Sequence, residues 1–316
     1  MLSQYCSISN WPKGFTTASP VSKKIWFSFF FPTDGLTPRA PDSTLWPLLH
    51  QQPDLVSLDD DTSLAYRKAN ERFADTVAAE MQEGDHIWVH DYHLMLLPLL
   101  LRQQAQKRNI SIRVGWFLHT PFPEKDTFAL LPSATQILEG IIGADVVGFQ
   151  TDEARHNFLS TSYQLLFVHP QCHCEPARDL TVNRGQHTLD KKLLWSGREI
   201  SVGTFPVGVE PSQFRRRLRR EPVQQMVRKM RHRLQGLKII VGVDRLDVIK
   251  GVPHKLRAFE KMLERHPEWA GNVILIQLVI PSRANLEMNR KLRAEIQHVA
   301  ASINDKYGTL VIMIHN

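Results

Sequence analysis

Apolar positions along this chain change period at regular intervals. From Leu64 to Met81 the residues Ala65, Ala69, Phe73, Val77 and Met81 fall in helical register, and Gly84 closes the segment. Ile87 to Val89 is a short apolar run that predicts a strand, and Ile112 to Leu118 and Asp145 to Phe149 predict two more. Between them, Leu94 to Lys107, Phe128 to Ile142 and Asp152 to Leu166 read as helices, the last with Thr151 or Asp152 as N-cap. Such alternation predicts a parallel sheet with helices on both faces. Ile200 to Val209 reads as a strand running into a glycine-bearing turn, whereas residues 169–199 are polar and irregular and predict a surface excursion. Residues 1–42 show no clear period. Lys23 to Phe31 could form one strand there, before Pro32, Pro38 and Pro41 interrupt the chain.

The second half opens with a strongly basic helix, Phe214 to Leu234, broken near Pro222 and ended by Gly236, where we place a domain boundary. Strand (239–243), helix (253–265), strand (273–280), helix (285–303) and strand (310–314) follow, which is one βαβαβ half of a nucleotide-binding fold. Ile239 to Val243 reads as a buried strand, and Leu310 to Ile314 as an apolar strand with nothing after it to cover it. The expected class is α/β with two Rossmann-like domains: an unassigned segment 1–42, a first domain 43–235, and a partial second domain 236–316 that looks cut short.

Composition narrows the choices. The 316 residues are 42% hydrophobic and 22% charged, enough apolar material for a core. Three cysteines, Cys6, Cys172 and Cys174, cannot form a disulfide framework and suggest a reducing compartment. No run approaches the ~18 apolar residues of a membrane span, and the first residues lack a signal-peptide centre, so the expected location is cytoplasmic. The net charge of +7 suggests anionic ligands, but is too diffuse to call for nucleic acid.

Candidate chemistry gathers at strand ends, where open α/β sheets bind ligands. Three successive strands end in His90-Asp91, His119 and Gln150-Thr151. In the second half, Arg245 and Lys250 lie in the elbow between a strand and a helix started by Pro253, a setting suited to a phosphate or diphosphate. Arg283 follows another strand end in Val-Ile-Pro-Ser-Arg, where a forked guanidinium suits a phosphate monoester. Taken singly, each of these has a bland alternative: a solvated arginine, a helix-capping aspartate, a structural histidine or, for Trp46, a core aromatic. Metal binding is disfavoured. His90 and His93 lack further converging donors, and Cys172-His173-Cys174 with His169 and His187 does not match the usual C-x₂-C spacing. The run Arg215 to Arg220 lacks interleaved aromatics and reads as a solvated face. No G-x-G-x-x-G or Walker loop occurs, which argues against a dehydrogenase or P-loop kinase.

Seven stretches carry a resemblance: LWPLLH, DHIWVHDYHLMLLPLLLR, RVGWFLHTPFP, ADVVGFQT with ARHNFLS, VGTFPVGVEPSQF, GVDRLDVIKGVPHKLRAFEKMLERHPEW and IPSR. In this order they resemble the trehalose-6-phosphate synthase family, retaining glucosyltransferases that join UDP-glucose to glucose 6-phosphate. The resemblance implies a GT-B architecture, with the active site in a cleft between two domains, an acceptor side first and a donor side second. It implies that Arg245 and Lys250 bind the UDP diphosphate and stabilise the leaving group, and that His119 contacts the transferred glucose. It further implies that Asp91, Arg283 and Trp46 serve glucose 6-phosphate, Arg283 through the phosphate. Front-face transfer, with the phosphate taking the acceptor proton, would need no protein nucleophile, metal or cofactor. Implied partners are the two substrates, and possible further ones are synthase-complex subunits or a second copy. The family's S-N-R-L-P-like and G-G-L segments are not found in residues 1–42, and its D-G-M-N-L-V segment would lie past Asn316. The alternative reading is a non-catalytic subunit or fragment of a synthase complex, binding sugar phosphate without turnover.

Overall fold

The computed structural model describes residues 24–26, 44–56, 60–166, 191–281, 286–308 and 311–315. The chain forms two compact units, Met1–Val209 and Glu210–Asn316. The first holds one sheet of β1 (Lys24–Trp26), β2 (His86–His90), β3 (Arg113–Phe117), β4 (Val146–Phe149), β5 (Lys191–Trp195) and β6 (Arg198–Thr204). Their order across the sheet is β1-β2-β3-β4-β6-β5. All neighbours run parallel except β5, which pairs antiparallel with β6.

That hairpin corrects the irregular reading of the stretch before Ile200. Ser196 and Gly197 both take positive φ, 49° and 76°, as a two-residue turn matched to strand twist requires. A Ser-Gly pair between Leu193-Leu194-Trp195 and Glu199-Ile200 was the available signal. Cys172, Cys174, His169 and His187 lie outside the described residues.

Helices α1 (Trp46–Leu49), α2 (Asp60–Glu80), α3 (Leu97–Lys107), α4 (Lys125–Phe128), α5 (Ala134–Ile142) and α6 (Asp152–Leu166) complete this unit. Thr151 is the residue that caps α6, its Oγ1 accepting from Ala154 N (3.2 Å). Asp152 instead accepts from Thr204 Oγ1 (2.7 Å) and pairs with Arg155 (3.0 Å).

The buried face of α2 differs from the one periodicity suggested. Tyr66, Asn70, Ala74, Val77 and Ala78 are buried, while Ala65, Ala69 and Phe73 are half-buried. Counting only apolar positions passes over Tyr66 and Asn70, which are inward-facing because the loop after β2 supplies their hydrogen bonds. Tyr66 Oη donates to Tyr92 O (2.8 Å) and accepts from Met95 N (3.0 Å). Burial raises the pKa of this phenol, so it keeps its proton. Asn70 Nδ2 donates to Tyr66 O (3.0 Å) and His93 O (3.1 Å). From the other side α5 closes on the same loop: a Cβ at Gly140 would collide with Met95 O and Leu96 Cα.

At the N-terminal end of β4, Asp145 ties three strands. Its Oδ2 accepts from Arg102 (2.7 Å) and Val114 N (2.7 Å), and its Oδ1 from Arg198 (3.2 Å). Arg198 also donates to the carbonyls of Ile142 (3.3 Å), Gly143 (3.2 Å) and Ala144 (2.9 Å), satisfying the end of α5.

The second unit contains α7 (Pro211–Leu218), α8 (Glu221–Arg233), β7 (Lys238–Arg245), α9 (Val252–Arg265), β8 (Val273–Ile280), α10 (Leu286–Tyr307) and β9 (Val311–His315). Its strands form a parallel sheet in the order β7-β8-β9. It begins ahead of the Gly236 boundary because Met230 and Leu234 pack on Ile274 and Ile276 of β8. Leu256, Phe259 and Leu263 of α9 and Ile296 and Ile303 of α10 cover the other face.

Two burial expectations are corrected here. β7 is not a buried strand: Val241 is 61% and Val243 60% exposed, because among the described residues neither core cluster of this unit takes in Ile239 to Val243. In the last strand the preceding elements bury Val311, 3% exposed and packed in the cluster of α9 and α10, while Ile312 and Met313 are half-buried.

Equilibrium urea unfolding checks both the β7 assignment and the Tyr66 clamp. Leu275→Ala, in the core, should cost about 2–5 kcal/mol, while Val241→Lys should change stability by no more than about 0.5 kcal/mol. Tyr66→Phe leaves a buried N–H and a buried carbonyl unpaired and should cost about 1–3 kcal/mol. Wild-type stability for Tyr66→Phe would refute the clamp.

Candidate functional site

Parallel pairing of β2, β3 and β4 sets their C-terminal ends side by side, and the polar residues that follow them bond to one another. Asp91 is the pivot. Its N–H donates to Phe117 O (2.8 Å), and its carbonyl accepts from Trp116 Nε1 (3.3 Å). Between these bonds its backbone sits at φ 70°, ψ 173°. That region is populated almost only by glycine, and a residue with a Cβ held there stores about 1–3 kcal/mol of strain. The conformation places Asp91 Oδ1 where it accepts from His119 N (3.3 Å).

His119 is fixed from both sides, since its carbonyl accepts from Gln150 Nε2 (2.8 Å) on the next strand end. Its ring meets Phe117 edge-on at 4.8 Å and lies 5.2 Å from the ring of His90. His90 Nδ1 is 3.1 Å from His119 Nε2. The Trp88 ring lies 4.4 Å from that of His90. Burial, with help from His119, pushes His90 down to about 4, so it is neutral at pH 7. Burial also lowers the pKa of His119, with the Asp91 charge opposing. One edge of His119 remains exposed. Thr120 Oγ1, next in the chain, is buried with no hydrogen-bond partner among the described residues. The result is a polar floor of fixed carboxylate, imidazole and hydroxyl groups, suited to holding a hydroxyl-rich ligand.

His90, Asp91, His119 and Gln150 thus come together, as their strand-end positions predicted. Trp46 does not join them through any ring contact among the described residues; it packs on His50 at 4.4 Å and leans on the core. His93 turns away to stack on Tyr92 (4.0 Å). Sequence reasoning missed His90 as a partner of His119, and missed Tyr66, Asn70 and Thr120. The alternation of β2 was the usable clue for His90, since His86, Trp88 and His90 share one face.

In the second unit, β7 ends at Arg245, and a short 3₁₀ turn, Val248–Lys250, leads through Gly251 into α9. Gly251 adopts φ 61°, ψ 31°, the left-handed conformation that glycine takes without steric cost, and no side chain caps the helix behind it. Asp247 organises the turn: its Oδ1 accepts from Ile249 N (3.4 Å) and its carbonyl from Lys250 N (3.1 Å). Arg245 is 3.9 Å from Asp247 and its side chain is 59% exposed, so this cation is only loosely engaged. Asp244 is the firmly paired acid, bonded to Lys255 (2.6 Å) and to the buried Gln277 (2.9 Å). Burial works against its charge, but those bonds and the charges of Lys255 and Lys250 hold its pKa below the ordinary range. A helix N-terminus with two cations in the preceding turn favours an anion. Arg283 lies outside the described residues.

Comparison with known proteins gives these features a context. The Schizosaccharomyces pombe alpha,alpha-trehalose-phosphate synthase [UDP-forming] is 42% identical over 270 residues, covering 85% of this chain and 49% of that one. The 56 kDa subunit of the Saccharomyces cerevisiae enzyme of that name is 41% identical over 271 residues, covering 85% and 51%. This chain therefore spans about half the length of the curated relatives it matches. Among solved structures, the trehalose-6-phosphate synthase OtsA superposes with a TM-score of 0.76 at 27% identity, covering 90% of this chain and 58% of that one. A Burkholderia xenovorans alpha,alpha-trehalose-phosphate synthase (UDP-forming) in complex with glucose-6-phosphate superposes at 0.72, with 27% identity, covering 88% and 60%. The model of Glycosyltransferase family 20 matches residues 34–314, so nearly the whole described chain falls within it, and the protein belongs to that family.

Proposed function

We propose that this chain carries the chemistry of a glucosyltransferase that forms trehalose 6-phosphate and UDP from UDP-glucose and glucose 6-phosphate. The observation that carries this reading is the set of strand ends joined through His119, in a chain of glycosyltransferase family 20. Two solved neighbours are described as bound to UDP-2-fluoro glucose and to glucose-6-phosphate, ligands of the proposed kind.

In this reading His119 and Asp91 serve sugar hydroxyls, His119 on the transferred glucose and Asp91 on the acceptor. Both are held rigidly, so little ordering entropy is lost on binding. Arg245 and Lys250 take the diphosphate. Negative charge grows on the leaving UDP as the glycosidic bond breaks, and cations beside it stabilise that charge more in the transition state than in the ground state. Arg283 is assigned to the acceptor phosphate and Trp46 to the wall of the acceptor pocket. No protein nucleophile, metal or cofactor enters the scheme. Among the described residues no helix is long and apolar enough to cross a membrane, and we place the protein in the cytoplasm as part of the same proposal.

A second reading is a non-catalytic subunit of a synthase complex. The exposed apolar residues of β7 favour it, as a surface that a partner chain would cover.

Calorimetry with each substrate, together with an assay of UDP release, separates the two readings. The enzyme reading expects UDP release only when both substrates are present, with trehalose 6-phosphate as product. Glucose 6-phosphate binding without turnover would support the subunit reading, and no binding of either substrate would overturn both. Within the enzyme reading, Asp91→Asn should weaken glucose 6-phosphate binding about tenfold, the loss of a charged hydrogen bond of ~1.5 kcal/mol. Lys250→Ala should weaken UDP binding to a similar degree and leave glucose 6-phosphate binding unchanged.

A further inference from the structure

We propose that the outer surface of α7 and α8 is a docking site for an acidic segment of another protein, seated on Phe214 and Leu218 of α7 and held at its edges by Arg215 and Arg217. The charge of the chain is concentrated here, not spread as the total suggests. Residues 211–233 hold nine arginines and lysines against one acid, Glu221, so this stretch carries +8 and all other residues together −1. All nine cations are exposed. Among the described residues only Arg228 forms an ion pair, with Glu221 at 2.6 Å. So dense a patch of one sign repels itself and calls for a complement of the opposite sign.

The apolar residues of α7 mark where that complement sits. None of its eight residues is buried. A helix this short does not hold itself in water, and helices of proteins owe most of their stability to an apolar face packed on something. On α7 that face is Phe214 and Leu218, four residues apart and therefore on one side, and they are 50% and 56% exposed. At about 100° per residue, Arg217 borders this stripe on one side and Arg215 on the other, while Arg216 points away from it. α8 is the anchored neighbour, since Met230 and Leu234 pack on Ile274 and Ile276 of β8. Its Met226 is 57% exposed and adds a further apolar contact beside the cations.

The residue types select a protein as the occupant. Protein interfaces favour phenylalanine, methionine and arginine over lysine and set an apolar centre inside a polar rim. Eight of the nine cations here are arginine, whose fork accepts both oxygens of a carboxylate. A lipid surface would need the apolar face of α8, and Met230 and Leu234 of that face are already turned onto the sheet. Nucleic acid would be bound through phosphates and stacked bases, and a lone phenylalanine is no stacking platform. The proposal does not depend on whether the chain transfers glucose.

Fluorescence anisotropy with the full chain tests it in about 0.15 M salt, where distant charges are screened. The probes are two synthetic peptides of equal negative charge, an amphipathic helix of glutamate and leucine and the same peptide with glutamine for leucine. The leucine peptide should bind about tenfold more tightly, the effect of one well-packed apolar anchor. Phe214→Ser or Leu218→Ser should erase that difference. Arg217→Gln should weaken the leucine peptide about tenfold, as loss of a charged hydrogen bond does, whereas Arg216→Gln should change it by no more than about twofold. All four side chains are exposed, so the substituted chains keep their fold. Equal binding of the two peptides, equal losses at Arg216 and Arg217, or no binding of either peptide would overturn the proposal. So would tighter binding of duplex DNA or of phosphatidylserine vesicles than of the leucine peptide. UDP release is not read, so failure here is distinct from failure of the glucosyltransferase reading.

Discussion

The left-handed turn at Asp91 is the constraint on which the first unit's site depends. A residue with a Cβ does not adopt φ 70°, ψ 173° on its own. It is held there by donating its N–H to Phe117 O and accepting from Trp116 Nε1, and by a loop pinned at Tyr92, His93 and Met95. Those pins come from Tyr66 and Asn70, two polar side chains turned inward on a helix that is otherwise amphipathic in the ordinary way. Gly140 allows α5 to press on the same loop from behind. Strain at one residue is therefore balanced by burial and hydrogen bonding at several others, and what the turn gains is a carboxylate aimed at the next strand end.

The two ends of the first sheet divide the work. At the N-terminal end, Asp145, Arg102 and Arg198 satisfy one another and the carbonyls that end α5, a closed arrangement with an architectural part. At the C-terminal end the groups are left partly open: His119 has an exposed edge and Thr120 Oγ1 has no hydrogen-bond partner among the described residues. In the second unit the same contrast holds within one turn, where Asp244 is bound by Lys255 and Gln277 while Arg245 is loosely engaged. Groups already satisfied by the protein stabilise the fold, and those left open have capacity for a ligand.

Much of this was legible from residue pattern alone. The strands ending at His90, Phe117 and Phe149 stood out because each is a short apolar run closed by polar residues, and the parallel sheet then required their ends to meet. The break of the basic helix near Pro222 was equally plain. What escaped notice has a physical explanation in each case. Tyr66 and Asn70 are buried polar residues, so a count of apolar positions assigns them to the wrong face of α2. The 191–204 hairpin hides inside a polar stretch and is marked only by Ser196-Gly197. The exposure of β7 could not be read from its composition, because Ile239 to Val243 is as apolar as a central strand; what packs on its faces decides its exposure, and among the described residues neither core cluster of the second unit takes it in. The pairing of His90 with His119 joins residues on different strands and depends on register.

The most direct test of this account compares the stabilities of Asp91→Ala and Asp91→Gly by urea unfolding. Both variants lose the carboxylate, so they differ in whether a Cβ must occupy the left-handed turn and in the greater freedom of the unfolded glycine chain, which costs the glycine variant about 0.4–1 kcal/mol. The account predicts that the glycine variant is the more stable, because relief of about 1–3 kcal/mol of strain outweighs that cost. An alanine variant as stable as the glycine variant, or more so, would mean that Asp91 is not held in strain and that the loop after β2 is not the constraint described here.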